Sequence, residues 1–221
     1  LVQIAATSEA QTLNTMRMVR AFAGKRSKLA KKYGLETGKT QIETPEGGML
    51  MQITASSSSA EGAEASFVVA DETEHWLPGG GGPAMAETLR QNLVKTGGRM
   101  METSNAWVPG VGSVAEATFN DWCDQEEGKL IKETKILYDA RIAPHNTSLT
   151  DKPDEGQISL TEALEYVYAD CPWAVLRSIK EQIWTPSYPV SRSRRFFLNQ
   201  PNAVDTAWVT CLLYTSDAAD E

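Results

Sequence analysis

Asp71 and Glu72 are adjacent carboxylates at the end of a short apolar run, Phe67-Val68-Val69-Ala70. The run is β-branched in its middle and uncharged, which predicts a strand buried on both faces. Such strands sit inside parallel sheets, and in open α/β sheets the chemistry lies just beyond the strands' carboxyl ends. A carboxylate there can hold the Mg²⁺ of a bound nucleotide, because Mg²⁺ takes one or two carboxylates and completes its shell with waters and phosphate oxygens. The next carboxylate, leaving the strand end in the other direction, can orient or deprotonate a water. Asp71 and Glu72 therefore have the form of a Walker B segment with its catalytic glutamate. A core strand followed by ordinary surface acids fits the same residues.

Thr103-Ser104-Asn105 forms a second candidate, after Arg99 to Glu102, which reads as a strand. Hydroxyl and amide groups at a strand end can bond a γ-phosphate or an attacking water and shift when it leaves; a simple turn uses the same residue types. Gly34-Leu35-Glu36-Thr37-Gly38-Lys39-Thr40 has the look of a phosphate loop but fails as one. GxxxxGK[ST] needs one more residue between the glycines, a strand before it and a helix after it. Here a basic stretch precedes and an alternating, strand-like one follows. His75 reads as a surface or packing residue, and Gly79 to Gly82 as a mobile loop.

The surrounding elements alternate in type. Leu1 to Ala6 reads as a strand. Ser8 and Gln11 have capping-box spacing, and Leu13, Met16, Val19 and Phe22 follow at helical spacing. Lys25, Arg26, Lys28, Lys31 and Lys32 cluster at the end of that helix, where cations are favoured; they read as a solvated helix end or as a contact to DNA phosphates. Gln41 to Thr44 and Met49 to Thr54 form an expected hairpin across Pro45-Glu46-Gly47-Gly48. The small residues Ala55 to Ala65 lead as a loop into the Asp71-Glu72 strand. Met85, Leu89 and Leu93 mark a helix ending at Gly97-Gly98. Ser113 and Glu116 open another as a capping box, with Val114, Ala117 and Trp122 inward. Leu130 to Tyr138 alternates like a strand. Ser159 and Glu162 cap a helix carrying Leu160, Ala163, Leu164 and Val167, and Trp173, Leu176, Ile179 and Ile183 continue helically. This order predicts an α/β fold with a mostly parallel sheet flanked by helices.

Composition narrows the function classes. The chain has 221 residues, 41% of them hydrophobic, enough for one good-sized core, and a formal net charge of −8. No stretch approaches the ~20 apolar residues of a membrane span. Three scattered cysteines, Cys123, Cys171 and Cys211, and two histidines, His75 and His145, make no zinc pattern and no Ser-His-Asp triad, and suggest a reducing compartment. The opening Leu1-Val2-Gln3-Ile4 has no initiator Met and no charged lead-in, so both a signal peptide and a natural start are not expected there. Cys211 to Glu221 resembles a transposase sequencing adaptor read in frame; removing its three acids moves the formal charge from −8 to −5.

In this order, four segments resemble the ATPase domain of a tailed-bacteriophage terminase large subunit, a P-loop NTPase of RecA/ASCE type that packages DNA into procapsids. Ala5-Ala6-Thr7-Ser8-Glu9-Ala10-Gln11 resembles the strand and helix after that family's Walker A region. Glu61-Gly62 and Phe67 to Trp76 resemble its Walker B stretch, and Thr103-Ser104-Asn105-Ala106 with Pro109-Gly110-Val111-Gly112-Ser113 its coupling motif. Arg194-Arg195-Phe196-Phe197-Leu198-Asn199-Gln200 resembles the segment where the domain ends. The resemblance spans nearly all of Leu1 to Thr210. It implies Asp71 on the Mg²⁺ of ATP, Glu72 as the catalytic residue activating the hydrolytic water, and Thr103, Ser104 and Asn105 coupling phosphate state to movement along double-stranded DNA. It further implies a small terminase subunit and a portal or procapsid as partners, a ring homo-oligomer, and the host cytoplasm. The expected layout is a partial ATPase domain at 1–198, the start of a linker at 199–210, and the adaptor at 211–221. The phosphate loop is expected upstream and an RNase H-like nuclease downstream, so the piece alone would be inactive or crippled. Arg90 and Arg99 are both open as an arginine finger. The rival readings are a helicase-type translocase, and a non-catalytic α/β DNA-binding or assembly adaptor.

Overall fold

The computed structural model describes residues 1–55, 64–130 and 135–203. Glu61-Gly62, part of the Leu130 to Tyr138 stretch, and the last eleven residues therefore lie outside the described residues. The chain divides into two compact units, the first made of Leu1–Ser104 with Gly112–Ala117, the second of Asn105–Val111 with the described residues from Thr118 onward.

The first unit is a six-stranded mixed sheet. In chain order its elements are β1 (Val2–Ala6), α1 (Glu9–Ala23), α2 (Lys28–Tyr33), β2 (Glu36–Thr37), β3 (Gln41–Glu43), β4 (Met49–Thr54), β5 (Phe67–Ala70), α3 (Gly82–Thr96) and β6 (Arg99–Glu102). Across the sheet the order is β2-β3-β4-β1-β5-β6. β4, β1, β5 and β6 run parallel, and β2 and β3 add an antiparallel edge. The decoy glycine stretch is the β2–β3 hairpin, closed by the Gly38 N–H on the Gln41 carbonyl (2.9 Å).

Alternation along the strands sends neighbouring residues to opposite faces. Ala5, Val68 and Ala70 face the α3 side, with Met85, Leu89 and Leu93. Ile4 and the half-buried Val69 face the α1 side, with Met16, Ala23 and Ile42. β5 is thus fully buried on one face only. The α1 stripe is Thr12, Met16, Val19 and Ala23, so Phe22, about 100° round the helix from Ala23, is 70% exposed, contrary to its expected inward place. Gly24 separates α1 from α2, whose N-cap Ser27 accepts from the Ala30 N–H (2.9 Å), so the basic cluster spans a helix–helix corner.

The Gly79 to Gly82 run is built structure rather than a mobile loop. Gly80 closes a 3₁₀ turn, Gly81 takes φ +72° as the α3 N-cap, and Gly82 is buried in the first turn of α3. A β-carbon on Gly82 would come within 2.6 Å of the Trp76 Cβ and closer still to its backbone, while one on Gly80 meets nothing within 4 Å. Gly82→Ala is expected to cost about 1–3 kcal/mol by overpacking, and Gly80→Ala under ~0.5 kcal/mol; urea midpoints of the two variants give the comparison.

In the second unit, α5 (Leu160–Val167), α6 (Leu176–Ile183) and α7 (Val190–Phe197) enclose Ala143, Leu160, Ala163, Leu164, Ile183 and Leu198. Ser159 and Glu162 form a complete capping box, and the Ser159 hydroxyl and N–H hold the Glu162 carboxyl below its ordinary value. Trp173 precedes α6 and is 77% exposed, so it does not extend the helical face. The helix α4 (Val114–Glu126), whose first four residues are counted in the first unit, begins where expected, but Ala117 is exposed. There the Ser113 hydroxyl accepts from the Glu116 N–H, and the Glu116 carboxylate takes the Gly112 N–H. The described part of the Leu130 to Tyr138 stretch forms no strand. The Gln125 side-chain amide bonds both the N–H and the carbonyl of Ile136, and Tyr138 stacks on Trp122. A side chain thereby satisfies the backbone groups that a neighbouring strand would otherwise bond.

Candidate active site

Parallel pairing places the carboxyl ends of β1, β5 and β6 side by side. The ladders continue past the strands: the Asp71 N–H donates to the Ala5 carbonyl (2.9 Å), the Thr103 N–H to the Ala70 carbonyl (2.9 Å) and the Thr73 N–H to the Thr103 carbonyl (3.0 Å). Asp71 and Thr103, 32 positions apart, are thus fixed next to each other.

Each Asp71 oxygen accepts a hydroxyl. Thr103 Oγ1 donates to Oδ1 (2.6 Å) and Thr15 Oγ1, from α1, to Oδ2 (2.5 Å). The Asp71 carbonyl accepts from Trp76 Nε1 (3.0 Å), and Trp76 is fully buried. Glu72 sits at φ 54°, ψ 52°, one of two non-glycine residues at positive φ among the described residues. An L-residue pays strain there, and such strain collects where surrounding structure holds a functional group. Its carboxylate Oε2 accepts from Gln11 Nε2 (2.6 Å). Both acids are partly open to solvent.

Of the expected coupling residues, Thr103 touches Asp71 directly, and Ser104 Oγ donates to Glu74 Oε2 (3.0 Å), a buried carboxylate with His75 Nε2 3.7 Å from its other oxygen. Asn105 is exposed and opens the second unit. Arg90 pairs with Glu102 (2.7 Å). Arg99 starts β6, at the opposite end of that strand from Thr103. Thr15 has no place in the sequence patterns, Gln11 reads there only as a capping-box residue within the Ala5 to Gln11 segment, and Glu74 and Trp76 only as the tail of the Phe67 to Trp76 stretch. The one available signal was the four-residue spacing of Gln11 and Thr15, which sets them on one helix face.

The donor set suits a nucleotide-bound Mg²⁺. One carboxylate flanked by neutral hydroxyls supplies a hard oxygen ligand and leaves the rest of an octahedral shell to phosphate and water.

No protein-family model matches the chain. In sequence it is 34% identical over 224 residues to the Gene 13 protein of Mycobacterium phage D29 and 32% identical over 224 residues to that of Mycobacterium phage L5; each alignment covers 95% of this chain. The chain spans 37% of the length of these curated relatives. Its structure superposes on the crystal structure of the HK97 bacteriophage large terminase with a TM-score of 0.65 at 12% identity, over 90% of this chain and 39% of that one. The fold is shared with the matched part of that terminase. The mostly parallel sheet with helices on both faces agrees with the architecture expected from the alternation of strand and helix patterns. No helix among the described residues is long and apolar enough to cross a membrane.

Proposed function

We propose that the chain is part of the ATPase domain of a viral DNA-packaging motor, a terminase large subunit that couples ATP hydrolysis to movement of double-stranded DNA into a procapsid. The observation that carries this reading is the pair Asp71-Glu72 at the carboxyl end of β5, with the Thr103 hydroxyl of β6 bonded to Asp71. The likeness of fold to a phage large terminase supports it. The reading assigns 1–198 to the ATPase domain, 199–210 to the start of a linker and 211–221 to a translated adaptor. The phosphate loop and the nuclease are assigned to the rest of the full-length protein. The small terminase subunit, the portal, other copies in a ring and the host cytoplasm form its working context.

When bound, Mg²⁺ would supply positive charge against the phosphate oxygens. Asp71 would hold it, and the hydroxyls of Thr15 and Thr103 set the rotation of its carboxylate. Glu72 keeps one oxygen on Gln11 and offers the other to a water as proton acceptor. Thr103 is bonded to Asp71 through its hydroxyl and to Thr73 through its backbone carbonyl, so a shift of the Asp71 carboxylate would be felt at Thr103, where the Thr103-Ser104-Asn105 segment begins.

For DNA, charge is segregated along the chain. Residues 10–35 hold seven of the 21 Lys and Arg residues and none of the 29 acids, and all seven bases are exposed on α1, α2 and their corner. An acidic protein can meet a phosphate backbone through such a local track. In the full-length protein, Asp71→Asn is expected to abolish Mg²⁺-dependent ATP hydrolysis and leave duplex binding intact. The triple charge reversal of Lys25, Lys28 and Lys31 to Glu is expected to do the reverse, with the salt dependence of duplex binding falling by about one in slope per lost phosphate contact. Hydrolysis unchanged by Asp71→Asn, or a full-length protein inert towards ATP with DNA and Mg²⁺ present, overturns the reading.

A further inference from the structure

We propose that Gln11 is a positioning residue for Glu72, an amide arm from α1 that holds one carboxylate oxygen and so aims the other. This rests on the reading of Glu72 as the water-activating base.

Gln11 occupies the third position of a helix whose N-cap is Ser8, where a capping box would turn its side chain back onto the cap's own N–H. That half of the box is absent. Ser8 Oγ accepts from the Gln11 N–H (3.3 Å), as a cap should, but the Gln11 side chain reaches across to β5 and donates Nε2 to Glu72 Oε2 (2.6 Å), 61 positions away. Ser159 and Glu162 in the second unit, with the same spacing, close the full box. Gln11 therefore keeps its oxygen at the cap and commits its amide nitrogen to the carboxylate.

The direction of the amide is set as well. Gln11 Oε1 accepts from Ser8 Oγ (2.9 Å) and from Thr7 Oγ1 (3.3 Å). The Glu72 carboxylate only accepts, so it takes the NH₂ end of the amide and leaves the oxygen to the two hydroxyls, which can serve either end. One turn on, Thr15 gives its hydroxyl to Asp71. Residues i and i+4 share a helix face, so α1 delivers one neutral donor to each acid. Among the described residues, Gln11 is the side chain that bonds the Glu72 carboxylate. With Oε2 on Gln11, Oε1 has no hydrogen-bond partner among the described residues and is the oxygen left for a water.

The test is ATP hydrolysis by the full-length protein across pH. Gln11→Ala is expected to lower kcat by roughly 10- to 100-fold, the loss that misplacement of a catalytic group brings, with KM for ATP little changed. Gln11→Glu sets two carboxylates together. They share one proton with a raised apparent pKa, and the protonated partner can again donate to Glu72. Its rate relative to wild type is expected to rise as pH falls from about 8 to about 6, a signature that loss of packing alone does not give. A wild-type kcat in Gln11→Ala, a loss confined to KM, or a pH-independent Gln11→Glu defect overturns the proposal. Glu72→Gln separates the two claims. If it abolishes hydrolysis and Gln11→Ala does not slow it, the positioning role fails alone; if Glu72→Gln hydrolyses at the wild-type rate, the reading of the site fails.

Discussion

Glu72→Gln in the full-length protein is expected to abolish ATP hydrolysis and leave ATP binding largely intact. The substitution keeps the side chain's length and shape and removes its basicity. A positioned general base contributes on the order of 10²- to 10⁴-fold to a rate, and in phosphoryl transfer the remaining catalysis is positioning and charge stabilisation. Asp71 is untouched by the change, with its hydroxyl donors from Thr15 and Thr103 in place. Hydrolysis and binding should therefore separate: single-turnover hydrolysis falls by at least two orders of magnitude, while nucleotide affinity, measured by equilibrium titration, stays within a few-fold. Hydrolysis at the wild-type rate refutes the role of Glu72.

Trp76→Ala is the substitution expected to cost most stability. The indole is fully buried among Val68, Ala70, Met85 and Ala86 in the core beneath α3. Truncating a buried tryptophan to alanine typically costs ~3–5 kcal/mol. Gly82 packs against the Trp76 backbone, and the Val114 N–H donates to its carbonyl (3.2 Å), so the position also ties the starts of α3 and α4 to the end of β5. Its ring nitrogen holds the Asp71 carbonyl. Trp76→Phe keeps most of the apolar contact and deletes that bond, a loss of ~1 kcal/mol for the hydrogen bond itself. Urea unfolding followed by far-ultraviolet circular dichroism orders the variants as wild type, Phe, Ala. A Trp76→Ala protein with a wild-type midpoint would show that the indole is not an anchor of this core.

Much of the frame was readable from residue patterns because those patterns are local. Val68 and Ala70 end at two acids, so a strand with carboxylates at its carboxyl end followed from four apolar residues and their neighbours. The β3–β4 hairpin followed from alternation interrupted by Pro45 and two glycines, and α3 from Met85, Leu89, Leu93 and the Gly97 stop, which takes φ +67° as a C-cap. Local patterns failed where a long-range contact decided the outcome. Four consecutive glycines read as a loop, yet Gly82 is small because the Trp76 backbone lies against it. Alternation after Leu130 read as a strand, yet Gln125 satisfies Ile136 in place of a partner strand.

The residue types in this chain determined by themselves that two carboxylates stand at a strand end in an α/β protein, since strand and helix periodicity are written in single segments. Only the tertiary structure decided what those carboxylates touch. Parallel pairing of β1, β5 and β6 brings Thr103 to Asp71, and the packing of α1 on the sheet brings Thr15 to Asp71 and Gln11 to Glu72. Contacts across 32, 56 and 61 positions depend on sheet order and helix placement, which no spacing within a segment encodes.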